Sequence, residues 1–145
     1  MIIIVVFILG KGKAEAIAKE ASLKIKEISY THAEGYSSSA LKHGPFALLE
    51  RGVPVIIIAN DNEHYDLVEN AYEEIKARHA TIVFVTDKNQ DDHSSKENLV
   101  VIPRSKTFGD LLAVVPMQLL AYKLSVARGY NPDMPKNLAK SVTVL

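Results

Sequence analysis

Four runs of apolar, mostly β-branched residues recur along the chain and predict buried strands. They cover residues 2–9, 54–59, 81–85 and 99–102. Continuous apolar runs of this kind are typical of central parallel strands, which helices cover on both faces. Residues 29–35 fit a helix poorly, so a short fifth strand is predicted there.

The segments between these runs repeat their apolar residues at helical spacing. Helices are predicted over residues 14–28, 39–50, 62–79 and 107–128. Asp61 is a suitable N-cap for the third helix. The fourth is apolar almost all round, which predicts a buried helix that kinks at Pro116 and ends at Gly129. Strands that alternate with helices indicate an open parallel sheet with helices on both faces.

Composition narrows the class of protein. The chain has 145 residues, 48% hydrophobic and 23% charged, which suits one globular domain spanning residues 1–145. Lysine plus arginine (17) equals aspartate plus glutamate (17), so charge favours neither a nucleic-acid nor a membrane-surface partner. The chain contains no cysteine, which excludes disulfides, thiolate nucleophiles and cysteine zinc sites and fits a reducing compartment such as the cytoplasm.

The apolar start of the chain, residues 1–9, has three interpretations. A membrane span needs about 20 apolar residues, and this run has nine. A signal peptide carries basic residues ahead of its apolar core, and none precedes this run. We therefore expect a buried strand.

A glycine-containing turn follows the first predicted strand. Gly10 and Gly12 in "LGKGK" allow the backbone to approach a ligand at the start of a helix, where anions are favoured. The third glycine of a dinucleotide fingerprint is missing, because Ala14 or Glu15 stands in its place. The pattern favours a tight turn, either without a ligand or with a sugar or phosphate contact.

The stretch "KIKE" at the end of the first predicted helix contains two candidate site residues. Lys24 falls on the apolar stripe, seven residues after Ile17, and Glu27 is its neighbour at i+3. An ordinary ion pair with a snorkelling lysine is one interpretation. The other is a catalytic carboxylate at the carboxyl edge of the sheet, whose proton affinity burial and Lys24 would tune.

Two further residues carry possible chemistry. His43 precedes a Gly-Pro pair, where a lone histidine is usually structural. The other histidines, His32, His64, His79 and His93, show no metal-ligand spacing. Lys140 lies among small and apolar residues near the C-terminus; it is either a solvated charge or a desolvated nucleophile.

Four stretches together closely resemble one known family. They are "ASLKIKEISYTHAEGYSSSALKHGPFALLE" (residues 21–50), "PVIII" (54–58), "VVPMQLLAYKLSVARGY" (114–130) and "PKNLAKSVTV" (135–144). They resemble the second sugar isomerase (SIS) domain of the glutamine–fructose-6-phosphate aminotransferases, the glucosamine-6-phosphate synthases. The resemblance implies an α/β three-layer sandwich with a flavodoxin-like, five-stranded parallel sheet. It also implies a single SIS domain with a C-terminal catalytic tail over residues 131–145.

The resemblance implies a reaction and a set of roles. Family members convert fructose 6-phosphate and glutamine into glucosamine 6-phosphate and glutamate. Glu27 matches the carboxylate that moves a proton between C1 and C2, and Lys140 matches the lysine that forms a Schiff base with the ketose. His43 matches a histidine that helps to open the ring and reaches into the neighbouring subunit's site. Lys24 matches a lysine that supports the sugar and the carboxylate, and the backbone at Ala139 would line the sugar.

The resemblance also implies partners and context. We expect a cytoplasmic homodimer that acts on sugar phosphates and uses no cofactor, metal, nucleic acid or membrane. The family's glutaminase domain and first SIS domain have no counterpart here, so they are expected upstream or in trans, and the isolated chain is expected to lack full activity. A non-catalytic sugar-phosphate-binding SIS module and a dimerisation domain are the alternatives.

The chain departs from the family pattern at several positions. The family usually has arginine at Lys136, glutamate at Ala40 and Leu145, and glycine at Ser22. Lysine keeps the charge at position 136 but lacks the planar fork of arginine. Any bidentate carboxylate contact at this position is therefore in question.

Overall fold

Five parallel strands form one sheet in the computed structural model, which describes residues 5–60, 62–89 and 96–138. The strands are β1 (Val5–Gly10), β2 (His32–Ser37), β3 (Pro54–Ile58), β4 (Thr81–Thr86) and β5 (Leu99–Val101). Their order in the sheet is β2-β1-β3-β4-β5, with every neighbouring pair parallel. This is the flavodoxin-like order, and all five strands fall where the sequence predicts them.

Helices cover both faces of this sheet. They are α1 (Lys13–Ser29), α2 (Tyr65–Lys76), α3 (Gly109–Leu112) and α4 (Val114–Ala127). Helices α1 and α4 pack on one face through a cluster that includes Ile8, Ile25 and Met117. Helix α2 covers the other face through a cluster that includes Phe7, Ile75 and Phe84. The predicted three-layer sandwich is therefore confirmed.

The predicted helix over residues 39–50 is wrong. The structure has two short 3-10 turns there, Leu41–His43 and Pro45–Leu48. Gly44 between them adopts a φ of 148°, which a helix does not allow, and Pro45 has no N–H to donate. This Gly-Pro pair interrupts the helical pattern and leaves His43 on an exposed turn.

The start of α2 differs from the predicted helix over residues 62–79. The helix begins at Tyr65, and His64 is its N-cap without a side-chain capping hydrogen bond. Asp61, the predicted N-cap, lies outside the described residues.

The last predicted helix is divided into α3 and α4, and the break falls where Pro116 prevents a helical hydrogen bond. The proline ring excludes the hydrogen bond to the carbonyl of Leu112, four residues earlier, and α3 ends at that residue before α4 begins. Gly129, with a φ of 76°, follows the end of α4 as predicted.

The prediction that this last helix is buried is wrong. Of α4, only Met117, Ala121 and Ser125 are buried. Six apolar side chains follow one helical face, and each is more than half exposed: Phe108, Leu111, Val115, Leu119, Tyr122 and Val126. We call this set the apolar stripe. By length and composition alone Gly109–Ala127 could cross a membrane, but the same composition suits a helix that another protein domain covers.

Gly10 is predicted to be essential for folding, because a Cβ atom there would overlap the backbone carbonyl of Ala14 in α1. Gly10→Ala should lower the free energy of unfolding by about 3 kcal/mol, the upper part of the range for an overpacked core. Urea denaturation followed by circular dichroism measures this change.

Gly52→Ala provides the control. A Cβ atom at Gly52 meets nothing within 4 Å, so only its positive φ of 84° opposes the substitution. The expected cost is about 1 kcal/mol. Equal losses of stability in the two variants would contradict a special close approach at Gly10.

Candidate active site

Lys24 and Glu27 lie near the C-terminal end of α1 and form the predicted ion pair. Lys24 Nζ donates a hydrogen bond of 2.6 Å to Glu27 Oε2 and lies 3.6 Å from Glu20 Oε1. The hydrogen bond to Glu27 is the main cause of a raised Lys24 pKa, which the nearby Glu20 carboxylate also favours. The ammonium group is therefore held in its charged form beside the carboxylate.

The expectation that Glu27 lies at the carboxyl edge of the sheet is wrong. Helix α1 starts after β1 at that edge and runs back, so its last turn, which contains Glu27, lies at the amino edge. The partial negative charge of a helix C-terminus disfavours a carboxylate there. The Lys24 ammonium offsets this effect.

Both side chains of the pair lie at the boundary between core and solvent. Their exposed fractions are 33% for Lys24 and 25% for Glu27. The fully buried positions of α1 include Ala18 and Ile25 instead. Lys24 therefore lies next to the buried residues of α1 rather than among them. Its ammonium group reaches Glu27, and water has access to both side chains.

The start of the predicted catalytic tail lies against the end of α1. The backbone N–H of Lys136 donates a hydrogen bond of 2.6 Å to the Tyr30 hydroxyl. Tyr130, just after α4, meets the Tyr30 ring edge-on at 4.7 Å. The start of the tail at Lys136 therefore lies at the amino edge of the sheet, against Tyr30. Tyr30 is three residues after Glu27 in the sequence.

The sequence offers only a weak signal for the role of Tyr30. Glycine or asparagine usually marks a left-handed helix end, not tyrosine, and the contact with Lys136 joins residues 106 positions apart. Lys140 and Ala139 lie outside the described residues, so the structure does not place them.

His43 lies at the opposite edge of the sheet from Glu27. Strand β2 follows α1 and runs from the amino to the carboxyl edge, and the turn that carries His43 comes after it. Six strand residues alone span about 20 Å. The structure therefore does not bring His43 and Glu27 of one chain together.

A cleft of about 560 Å³ lies at the carboxyl edge, next to the glycine-containing turn for which the sequence left a sugar or phosphate contact open. It lies outside the ends of β1, β3 and β4, the position at which open α/β sheets bind ligands. Gly12 lines it together with charged residues that include Asp87 and Arg104. On its floor, the buried Asn60 side chain donates a hydrogen bond of 3.0 Å to Asp110.

Metal binding has no support among residues 5–60, 62–89 and 96–138. These ranges contain no group of three or more histidine, aspartate and glutamate side chains arranged to hold a metal ion.

Comparison with known sequences identifies relatives over nearly the whole chain. A protein of Acanthamoeba polyphaga mimivirus, named as a probable glutamine–fructose-6-phosphate aminotransferase (isomerizing), is 55% identical over 138 residues. The glutamine–fructose-6-phosphate aminotransferase (isomerizing) of Thermococcus kodakarensis is 48% identical over 139 residues. Each match covers 95% of this chain but 23% of the relative, so the chain spans about a quarter of their length.

Solved structures and a family model agree with these relatives. The C-terminal domain of glucosamine-fructose-6-phosphate aminotransferase from Francisella tularensis superposes with a TM-score of 0.84 and 30% identity, covering 90% of this chain and 38% of that one. The model of the SIS domain matches residues 5–128, which include all five strands and α1 to α4. The chain belongs to the SIS domain family.

Proposed function

We propose that the chain is the isomerase subdomain of a glucosamine-6-phosphate synthase, a single SIS domain over residues 1–145 with a catalytic tail at 131–145. The observation that carries this proposal is the Lys24–Glu27 pair beside the anchored tail. The kinship with the isomerizing aminotransferases supports the substrate, fructose 6-phosphate. The lack of cysteine suits the cytoplasm.

The proposed reaction assigns the covalent step to Lys140. Its neutral amine adds to the C2 carbonyl of the open-chain ketose and releases water, which leaves an iminium. Ammonia then displaces the lysine at C2. The backbone at Ala139 lines the sugar.

The proton transfer belongs to Glu27. Its carboxylate removes a proton from C1 and delivers one to C2, while the proton of the C1 hydroxyl passes to the imine nitrogen, which converts the ketose imine into a 2-amino aldose. One carboxylate can serve both carbons because they are neighbours on the same face of the substrate. Lys24, at 2.6 Å, keeps the carboxylate oriented and contacts the sugar.

Ring opening by His43 requires a second copy of the chain. Within one chain, His43 and Glu27 lie at opposite edges of the sheet. A homodimer in which His43 of one copy enters the Glu27 site of the other satisfies both roles. The upstream SIS domain supplies the phosphate contacts and the glutaminase domain supplies ammonia.

A mixing experiment tests the shared site. Glu27→Gln and His43→Ala should each abolish formation of glucosamine 6-phosphate from fructose 6-phosphate and ammonia, with the upstream SIS domain supplied. When the two variants are refolded together in equal amounts, half of the dimers are mixed, and one of the two sites in each mixed dimer is intact. About a quarter of the wild-type activity should therefore return. If both residues acted within one chain, no activity would return.

Reductive trapping tests Lys140. Borohydride with fructose 6-phosphate should leave an adduct on Lys140, detectable by peptide mass spectrometry, when the upstream SIS domain is present. Lys140→Arg keeps the charge but should abolish the adduct, because a guanidinium stays protonated and does not form the iminium. An adduct found only on other lysines would contradict the proposed nucleophile.

Assembly is a second function, and the exposure of the apolar stripe favours it. The apolar stripe leaves six large side chains more than half exposed on α3 and α4, more than an isolated soluble domain normally leaves uncovered. We assign this face to contact with a second copy of the chain, in the homodimer that the shared site requires.

Sedimentation tests this assignment with a matched pair of variants. The chain should sediment as a dimer at micromolar concentration, and Leu119→Glu should shift it to monomer by placing a charge in the stripe. Leu67→Glu, on the opposite face in α2, is the control, since Leu67 is 52% exposed and Leu119 is 53% exposed. Equal effects of the two substitutions would exclude the stripe as the interface.

A further inference from the structure

Tyr30 ends α1 in a backbone conformation that a tyrosine adopts at a cost. Its φ is 54° and its ψ is 25°, the left-handed region where a helix normally places glycine or asparagine. A side chain with a Cβ atom is disfavoured there. Residues held in such conformations cluster at functional sites. We therefore expect the side-chain contacts of Tyr30 to offset the backbone cost and to serve a function.

The Tyr30 side chain contacts the segment that follows α4. Its hydroxyl accepts the hydrogen bond from the Lys136 backbone, and its ring meets Tyr130 at an interplanar angle of 79°. The Lys136 ammonium lies 5.5 Å from the centre of the Tyr30 ring and 5.4 Å from that of Tyr130. Two aromatic rings and one hydroxyl therefore hold both the main chain and the side chain of Lys136.

The anchored point lies within reach of the proton-transferring carboxylate. Lys136 is four residues before Lys140, and four extended residues span at most about 14 Å. Tyr30 is three residues after Glu27, less than one helical turn. A chain fixed at Lys136 is thereby restricted to the neighbourhood of Glu27, whereas a free tail could sample a far larger volume.

We propose that Tyr30 is a positioning residue that pins the tail at Lys136 and thereby speeds the proposed covalent step of Lys140. This inference rests on the proposed isomerase function. Tyr30 does not itself touch the reacting atoms; it acts by reducing the conformational freedom that the tail loses when the iminium forms.

Hydrogen exchange in the isolated chain tests the anchor without any activity. In NMR spectra, the Lys136 amide should exchange about tenfold faster in Tyr30→Phe than in the wild type, because the variant keeps the ring and loses the acceptor. Tyr130→Phe is the matched control, since no hydrogen bond of the Tyr130 hydroxyl is present within the described ranges. Wild-type exchange in Tyr30→Phe would overturn the anchor.

Trapping kinetics separate positioning from a merely structural role. With the upstream SIS domain supplied, Tyr30→Phe should lower the maximal rate of trapping at Lys140 about tenfold and change the half-saturating fructose 6-phosphate concentration less than twofold. Tyr130→Phe should leave both values near the wild type. An unchanged maximal rate in Tyr30→Phe would overturn the positioning role.

A second variant guards against misfolding. Tyr30→Asn suits the left-handed backbone, so its melting temperature should stay close to the wild type while both the ring and the hydroxyl are lost. It should show the same or a larger fall in trapping rate. If the wild type itself forms no adduct at Lys140, the isomerase proposal fails, whereas fast Lys136 exchange in Tyr30→Phe would still support the anchor.

Discussion

The parallel pairing of β1 with β2 is the constraint on which the site depends. Two neighbouring strands that run the same way require a crossover, and α1 must therefore run back along the sheet between them. Its last turn is thus delivered to the amino edge, where β2 begins. The turn with His43 is delivered to the carboxyl edge by the same topology. The distance between the two groups within one chain is a property of the fold.

The position of Glu27 at the amino edge also determines which residues lie near it. Helices α1 and α4 both end there, because both follow a strand and return on the same face. Tyr30 and Tyr130 stand just after these two ends and contact each other edge-on. The carboxylate, its lysine and the start of the tail consequently share one corner of the molecule, although they come from distant parts of the chain.

Much of this architecture could be predicted from apolar periodicity, since each β-branched run formed a strand. The apolar pattern led to wrong predictions in two places, the segment around Gly44 and the burial of α4. Gly44 and Pro45 prevented a helix that the apolar spacing favours. The composition of α4 predicted a buried helix, whereas the structure leaves the six side chains of the apolar stripe exposed. The i+3 spacing predicted the Lys24–Glu27 pair, whereas the edge at which it lies follows from α1 running back along the sheet after β1.

The contact between Tyr30 and Lys136 could not be predicted because it depends on two conformations at once. Tyr30 must accept a left-handed backbone to turn its ring away from α1, and the chain must reverse after α4 so that Tyr130 and Lys136 return to it. Neither condition leaves a periodic signal. The Lys136 ammonium lies against the two rings as a compact charge without the planar fork of an arginine. The backbone hydrogen bond to Tyr30 therefore carries the directional part of the anchor, which makes the hydroxyl, more than the charge at position 136, the group that controls where the tail goes.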